Sequence, residues 1–351
     1  MKFFAKRWRK EWGLSLIHMI MTRTNIKPGQ RNIRISLNQY LLELLLLVLI
    51  AVMAFASPYF LTPGNFLNIL RNISMQGILA FGMTMVIICG EIDLSVSSTV
   101  AMSGVMIGLC WGKWGSSGVM PGWLVFLIGI LSACAVGTVT GLVNTYFVTK
   151  FKMPSMIVTL AMMNVLYGIC AMISNGFPVV TFPGWYSTIG AGFTMEVIPN
   201  AAIFMLIVFL LIYIIMHKTK LGRDVYASGG NAEAARLSGI NVIRTKAVCM
   251  VLVQITAVIS GIILSSQVMA GNFTFAKDWG MTVISSVIIG GASFNGGIGT
   301  MKGTLVGLVF LGVVSNAMTL LNVGEYAQYV VRGSLMIFAV VMNTLQGRKQ
   351  A

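Results

Sequence analysis

The chain has 351 residues, 57% of them apolar and 9% charged, with 24 Lys and Arg against nine Asp and Glu. Soluble domains carry about 25% charged residues, so a water-soluble fold is excluded, and continuous apolar runs exclude the short alternating segments of a β-barrel. The formal charge of +15 gathers at the flanks of apolar runs, as the positive-inside rule requires, and gives no reason to expect a nucleic-acid partner.

Residues 1–38 form a basic N-terminal segment, with nine Lys and Arg before Leu41. Phe4, Trp8, Trp12, Leu16 and Ile20 recur there at helical spacing. This pattern fits an amphipathic helix in the cytoplasmic interface or a basic tail. No cleavable signal sequence is expected.

Residues 39–345 are predicted to be the transmembrane domain, and 346–351 a cytoplasmic tail. Apolar runs near the roughly 20 residues needed to cross a bilayer predict spans at 39–57, 66–89, 95–111, 122–149, 154–174, 200–216, 247–270, 279–291, 303–321 and 327–345. The run 279–291 is short and is expected to be a half-helix. An internal N-terminus places Lys150, Lys152, the polar stretch 217–246 and Arg348/Lys349 inside. The stretch 175–199, without Lys or Arg, falls outside. The predicted fold is an all-α polytopic membrane protein of about ten transmembrane helices, some short or broken.

Two segments echo each other. VIICG (86–90) precedes EIDLSVSSTVAMS, and VIIGG (287–291) precedes ASFNGGIGTMK. Each is followed by small residues four apart, Gly104/Gly108 and Gly303/Gly307, a spacing that lets helices approach closely in lipid. Residues 90–98 and 290–300 are therefore read as irregular elements that form or support a transport pathway. Gly290, Gly291, Gly296 and Gly297 mark the second. In the first, Glu91 and Asp93 are a close pair of carboxylates. They are either a proton or cation site, or a polar span end with Asp93 capping a helix from Leu94 and Ser95 onward. Asn164, Gln254 and Asn316, each inside a predicted span, are pathway candidates or interhelical hydrogen-bond glue.

The stretch 217–246 is a polar island between apolar runs, with Lys218, Lys220, Arg223, Arg236, Arg244 and Lys246 against Asp224 and Glu233. Asn231 is placed to cap a helix, Glu233 suits its first turn, and Gly239 suits the left-handed position after its end. A short helix is predicted over 232–238, with Ala234, Ala235 and Leu237 giving a smooth surface for a partner's groove. The five cysteines are scattered without metal spacing. No nucleotide-binding or hydrolytic motif occurs, so neither enzyme activity nor a cofactor on this chain is expected.

LGRDVYASGGNAEAARLSGINV resembles the cytoplasmic coupling loop of the ribose-type sugar permeases of ATP-binding-cassette importers. GMTMVIICGEIDLSVSS, VIIGGASFNGGIGTMKGTLVG and SPYFLTPGNFLNILRN resemble further motifs of that family in the right order, covering about 41–343. The resemblance matches Gly230, Asn231, Ala234, Ala235, Arg236, Leu237, Ser238, Gly239 and Ile240 to the ATPase-contact loop with its coupling helix. Asp93, Leu94 and Ser95 match the core of the membrane motif. It implies a bacterial cytoplasmic (inner) membrane location, a cytoplasmic ATPase partner that performs the hydrolysis, an external sugar-binding protein and a second permease subunit. The chain departs from the family pattern at Glu91 and Ser97, which replace Gly, and at Thr282, which replaces Asp. Other classes remain open: a branched-chain amino-acid importer permease, a proton-coupled carrier using Glu91 and Asp93, or a channel or scaffold.

Overall fold

The computed structural model describes residues 41–347. The basic segment 1–38 and the tail with Arg348 and Lys349 lie outside the described residues. The chain divides into two units at Leu45/Leu46. Of the first, residues 41–45 are described and are helical.

The elements run α1 (Leu41–Ala56), α2 (Pro63–Ile88), α3 (Val96–Cys110), α4 (Gly122–Lys150), α5 (Ser155–Ile173) and α6 (Ser187–Gly190). A two-residue hairpin follows, β1 (Phe193–Thr194) and β2 (Ile198–Pro199), then α7 (Asn200–Lys218), α8 (Lys220–Gly230), α9 (Ala232–Leu237), α10 (Val242–Val268), α11 (Trp279–Ile289), α12 (Met301–Leu320) and α13 (Glu325–Gly347). Helix starts follow local chemistry. The Thr62 hydroxyl accepts from Asn65 N at 3.3 Å with Pro63 next to it, and Thr300 accepts from Gly303 N at 3.0 Å. Prolines 121, 154 and 199 precede α4, α5 and α7. Their rings fix φ and surrender an N–H that a helix start leaves unpaired anyway.

Among the described residues, six helices are long and apolar enough to cross a membrane: α2, α4, α5, α7, α10 and α12. The fold is an all-α polytopic membrane protein whose one sheet, among the described residues, is the β1–β2 hairpin. A π-helical turn, Trp111–Gly115, carries α3 onward. Helix α11 has 11 residues, about 16 Å of rise, which cannot cross a hydrocarbon core of about 30 Å.

Burial assigns the centre to α2 and α10. In α2, 83% of the most apolar window is buried, against 22% in α5. Helix α10 packs on α2, α3 and α4, and α11 sits on α2 and α12. The Gly303/Gly307 spacing permits the last contact: a Cβ on Gly307 would lie 2.9 Å from Gly290 N.

The polar island is more helical than its sequence suggests. Helix α9 matches the predicted 232–238 closely; Asn231 Oδ1 accepts from Ala234 N at 2.9 Å and Gly239 ends it at φ +83°. Helix α8 was not expected. Thr219 caps it, but Gly222, Gly229 and Gly230 lower helix propensity and hide it. Helix α10 starts at Val242, so Arg244 and Lys246 sit on its first turns rather than in a loop.

The helical ladder is interrupted at 89–95 and at 290–300. The first interruption is shorter than the predicted 90–98, since Ser97 and Ser98 already belong to α3.

Candidate functional site

Three glycine-bearing segments meet where α2 ends. Gly297 N donates to Ile88 O at 2.8 Å, joining the second break to the first. Gly229, at the end of α8, packs against the same carbonyl so closely that a Cβ there would overlap it. A Cβ on Gly296 would lie 2.9 Å from Gly90 Cα, and one on Gly297 2.7 Å from Gly230 Cα. Tyr226 Oη donates to Gly299 O at 2.8 Å. The polar island is thus in backbone contact with both breaks. Gly291, just past the end of α11 on the second break, adopts φ +91° with open space where a Cβ would be.

The first break owes its shape to the start of α5. Ile92 N donates to Ser155 Oγ, and Leu94 N to Thr159 Oγ1, each at 3.1 Å. Thr159 Oγ1 also reaches Ile92 O at 3.3 Å. Irregular backbone inside a membrane protein survives where protein groups satisfy it in this way.

Behind that backbone lies a buried polar knot. Asp93 Oδ1 accepts from Ser95 N at 2.9 Å and from Ser95 Oγ. Its Oδ2 accepts from Gln254 Nε2 at 2.8 Å. Asn144 Nδ2 donates to Ser95 Oγ at 2.9 Å, and Thr99 Oγ1 to Gln254 Oε1. Asp93 therefore closes a turn two residues ahead of it and ties α3, α4 and α10 together, while α3 begins at Val96 rather than Leu94. Gln254, a pathway candidate in sequence, is fully buried in this knot. Asn144 and Thr99 were not singled out in sequence; a polar residue amid the apolar run of α4 was the available signal.

Glu91 forms an ion pair with Lys246 on the first turns of α10. The pair stands in the wall of a cleft of about 610 Å³ that also takes in Lys152, Glu233 and Arg236. Across the cleft, Arg236 grips Glu233 through Nη2 at 2.6 Å and Nε at 3.1 Å. Those hydrogen bonds and the guanidinium charge hold the Glu233 carboxyl below its ordinary value.

The island residues divide by exposure. Asn231, Ala232, Glu233, Ala234, Arg236, Leu237, Ser238 and Gly239 are exposed, and Ile240 is half-buried. Ala235 is 4% exposed, so it packs inward and does not contribute to the smooth outer surface read from the sequence. Asn316 pairs reciprocally with Asn65, at 2.7 and 3.0 Å, joining α12 to α2. Asn164 is exposed on α5 and donates to Leu160 O of its own helix at 3.1 Å.

A bundle of membrane-crossing helices, broken twice and gripped at both breaks by a polar helical island, defines a multi-pass membrane protein of the transport-permease class. The chain belongs to the family described as branched-chain amino acid transport system / permease component, whose model matches residues 65–340. It is similar to the ribose import permease protein RbsC of Bacillus subtilis (strain 168), 36% identical over 301 residues, covering 85% of this chain and 90% of that one. RbsC of Escherichia coli (strain K12) is 36% identical over 305 residues, 85% and 91% of the two chains. The L-arabinose ABC transporter permease protein AraH of Azospirillum brasilense is 34% identical over 308 residues, 88% of each chain. No solved structure matches the chain.

Proposed function

We propose that the chain is the transmembrane permease subunit of an ATP-binding-cassette importer and carries a monosaccharide of the ribose or arabinose kind across the bacterial cytoplasmic membrane. The names and coverage of the sugar-permease relatives support the cargo class. The observation that carries the mechanism is the glycine junction, where the island touches both breaks.

In this reading the chain spans the membrane ten times, with both termini and the island inside. A cytoplasmic ATPase docks on α9 through its exposed face, Glu233, Ala234, Arg236 and Leu237. Its movement passes through α8 to Gly229 and Gly230, and from there to Gly90 and Gly297. The backbone contacts leave no side-chain slack, so displacement of α8 moves both breaks. A second permease subunit completes the pathway, with Asn164 on the exposed α5 face turned toward it, and an external binding protein delivers the sugar. ATP hydrolysis belongs to the partner. Glu91, neutralised by Lys246, and Asp93, held by three donor groups, are engaged in structure, which supports this reading over a proton-coupled carrier.

Leu237 is 76% exposed on α9, next to exposed Ala234, and burying its side chain against a partner would contribute roughly 1.5–3 kcal/mol. Leu237→Asp should abolish co-purification of the ATPase and sugar uptake while membrane insertion persists. Unchanged co-purification and uptake would remove α9 as the docking element.

A further inference from the structure

Residues 179–190, between α5 and α7, lie as a strap across the C-terminal ends of α3 and α10 and are bonded to both. Val179 and Gly271, just past α10, exchange two backbone hydrogen bonds of 2.8 Å. Thr181 Oγ1 donates to Gly108 O of α3 at 2.8 Å. The Tyr186 ring, fully buried, stacks on Phe182 with centres 4.9 Å apart. Its hydroxyl donates to Ile262 O of α10 at 3.0 Å and shares a hydrogen bond with Ser265 Oγ at 2.8 Å. Ser266 Oγ donates to Tyr186 O and accepts from Gly190 N at 2.8 Å. A Cβ on Gly190 would overlap Ile263 O.

The small residues of α3 seat this strap. A Cβ on Gly108 would lie 2.7 Å from Val179 and 2.8 Å from Phe182, and one on Gly112, a turn further on, 2.8 Å from Thr181. At Gly104 the same atom would lie 2.8 Å from Ser265. The spacing that predicted close helix approach therefore also admits a non-helical segment. Nearer the middle of the pair, Gly261 packs on Val100 O so closely that a Cβ would overlap it. Helices α3 and α10 are thus tied by the Asp93–Gln254 knot at one end and by the strap at the other.

The N-terminal ends of the same two helices begin at the coupling junction. Helix α3 starts directly after the first break, and α10 starts after α9 and carries Lys246. The 27 residues of α10 rise about 40 Å, more than a hydrocarbon core of about 30 Å. A force on the island therefore acts on the helix pair that the strap holds at its far end. Buried hydrogen bonds with no water to replace them are costly to break, so the strap resists a tilt of α10 that leaves α3 behind. We propose that Tyr186, Gly190 and Ser266 are positioning residues for transport: they staple α3 to α10, so that the pair moves as one lever and carries displacement of the island to the outer face. The inference rests on the importer reading for the partner that drives the lever, and uses none of the residues that carry that reading.

The test uses the purified permease with its co-purified ATPase, and hydrogen exchange of peptides covering 104–112 and 262–271. Trapping the complex with ATP and vanadate should change exchange in both peptides together, at least threefold. In Ser266→Ala the α10 peptide should still respond and the α3 peptide should not, with permease level, ATPase co-purification and basal ATP hydrolysis within twofold of wild type. Thr181→Val should weaken the α3 response, and Thr181→Ser should restore it. Uptake of radiolabelled ribose or L-arabinose by cells carrying Ser266→Ala should fall at least fivefold relative to hydrolysis. Separate responses of the two peptides in the wild type, or a joint response that survives in Ser266→Ala and Gly190→Ala, would overturn the staple while leaving the importer reading intact. Loss of permease level and hydrolysis in proportion to uptake would reduce these residues to folding and overturn it as well. If no ATPase co-purifies with the wild type, the importer reading itself fails and the lever has no driver.

Discussion

Lys246 and Glu91, 155 residues apart in sequence, form an ion pair that fastens the first turns of α10 to the first backbone break. The side chains are 20% and 10% exposed, so water reaches the pair only through the cleft. Removing one partner strands the other charge. Loss of a fully buried pair costs roughly 3–5 kcal/mol; the open cleft lowers this to about 2 kcal/mol, the scale of one hydrogen bond to a charged group. Glu91→Ala should therefore lower the melting temperature of the purified protein and reduce uptake. Glu91→Lys combined with Lys246→Glu should restore both. A double variant no better than the worse single one would deny the pair a role in holding α10.

Neighbouring glycines in the junction should respond in opposite ways. Gly229→Ala drives a methyl group into the Ile88 carbonyl, and Gly297→Ala adds a Cβ at φ +74°, 2.7 Å from Gly230 Cα. The left-handed backbone alone costs roughly 1–2 kcal/mol for a residue with a Cβ. Gly230 has open space around its own Cβ position, so Gly230→Ala should stay within about 0.5 kcal/mol of wild type. The expected result is a collapse of uptake for Gly229→Ala and Gly297→Ala, with retained ATPase co-purification, and near-normal uptake for Gly230→Ala. Measuring the three side by side separates a mechanical junction from general intolerance of the loop.

Asp93 accepts through both oxygens and has no donor role in its knot. Asp93→Asn turns an amide N–H₂ toward either Ser95 or Gln254, both of which already donate. One buried donor is then left facing another, at a cost of roughly 1–3 kcal/mol. Thermal unfolding in detergent should show the loss, and Gln254→Leu should show one of similar size. If Asp93→Asn keeps wild-type stability while uptake fails, the carboxylate acts in transport rather than in packing.

Local rules were legible in the sequence and tertiary ones were not. The cap at Asn231 and the stop at Gly239 depend on residues within one turn, so α9 could be placed to within a residue. The short α11 followed from run length. Helix α8 escaped because its glycines, needed for contact with Ile88 and Gly297, are also what propensity counts against a helix. Lys246 read as a flanking charge, since nothing local ties it to Glu91. Asn144, Thr99, Ser155 and Thr159 became visible as partners only once α3, α4, α5 and α10 were brought together. Ala235 was assigned to the outer surface because a six-residue helix offers too few positions to tell its buried side.

The Glu233–Arg236 pair gives a pH dependence with a definite sign. Arg236 lowers the Glu233 pKa below its ordinary value, so the pair's contribution is complete above the ordinary carboxylate pKa and is lost as pH falls through the depressed value. ATPase docking on α9 should be flat through neutral and mildly acidic pH. In Arg236→Gln the Glu233 midpoint should rise to the ordinary carboxylate range, read by carbon-detected NMR of labelled glutamate in the detergent-solubilised protein. An unmoved midpoint would show that the guanidinium does not hold the carboxylate in solution.

Asn65 and Asn316 separate two roles a polar residue can have inside a membrane. Their amides exchange two hydrogen bonds between α2 and α12, and Asn65 also holds Phe60 O at 2.9 Å. Such interhelical bonds average about 0.6 kcal/mol and reach about 1.7 kcal/mol in double-mutant cycles; a reciprocal pair belongs in the upper half, at about 1 kcal/mol. Asn316→Leu and Asn65→Leu should therefore each destabilise the protein, and the double variant should cost less than the sum by that coupling. Uptake per folded molecule should stay within twofold in all three, because a bond between helices carries no sugar. A residue in the sugar's path behaves otherwise: Asn316→Leu alone would cut uptake sharply, Asn65→Leu would not, and the cycle would show no coupling.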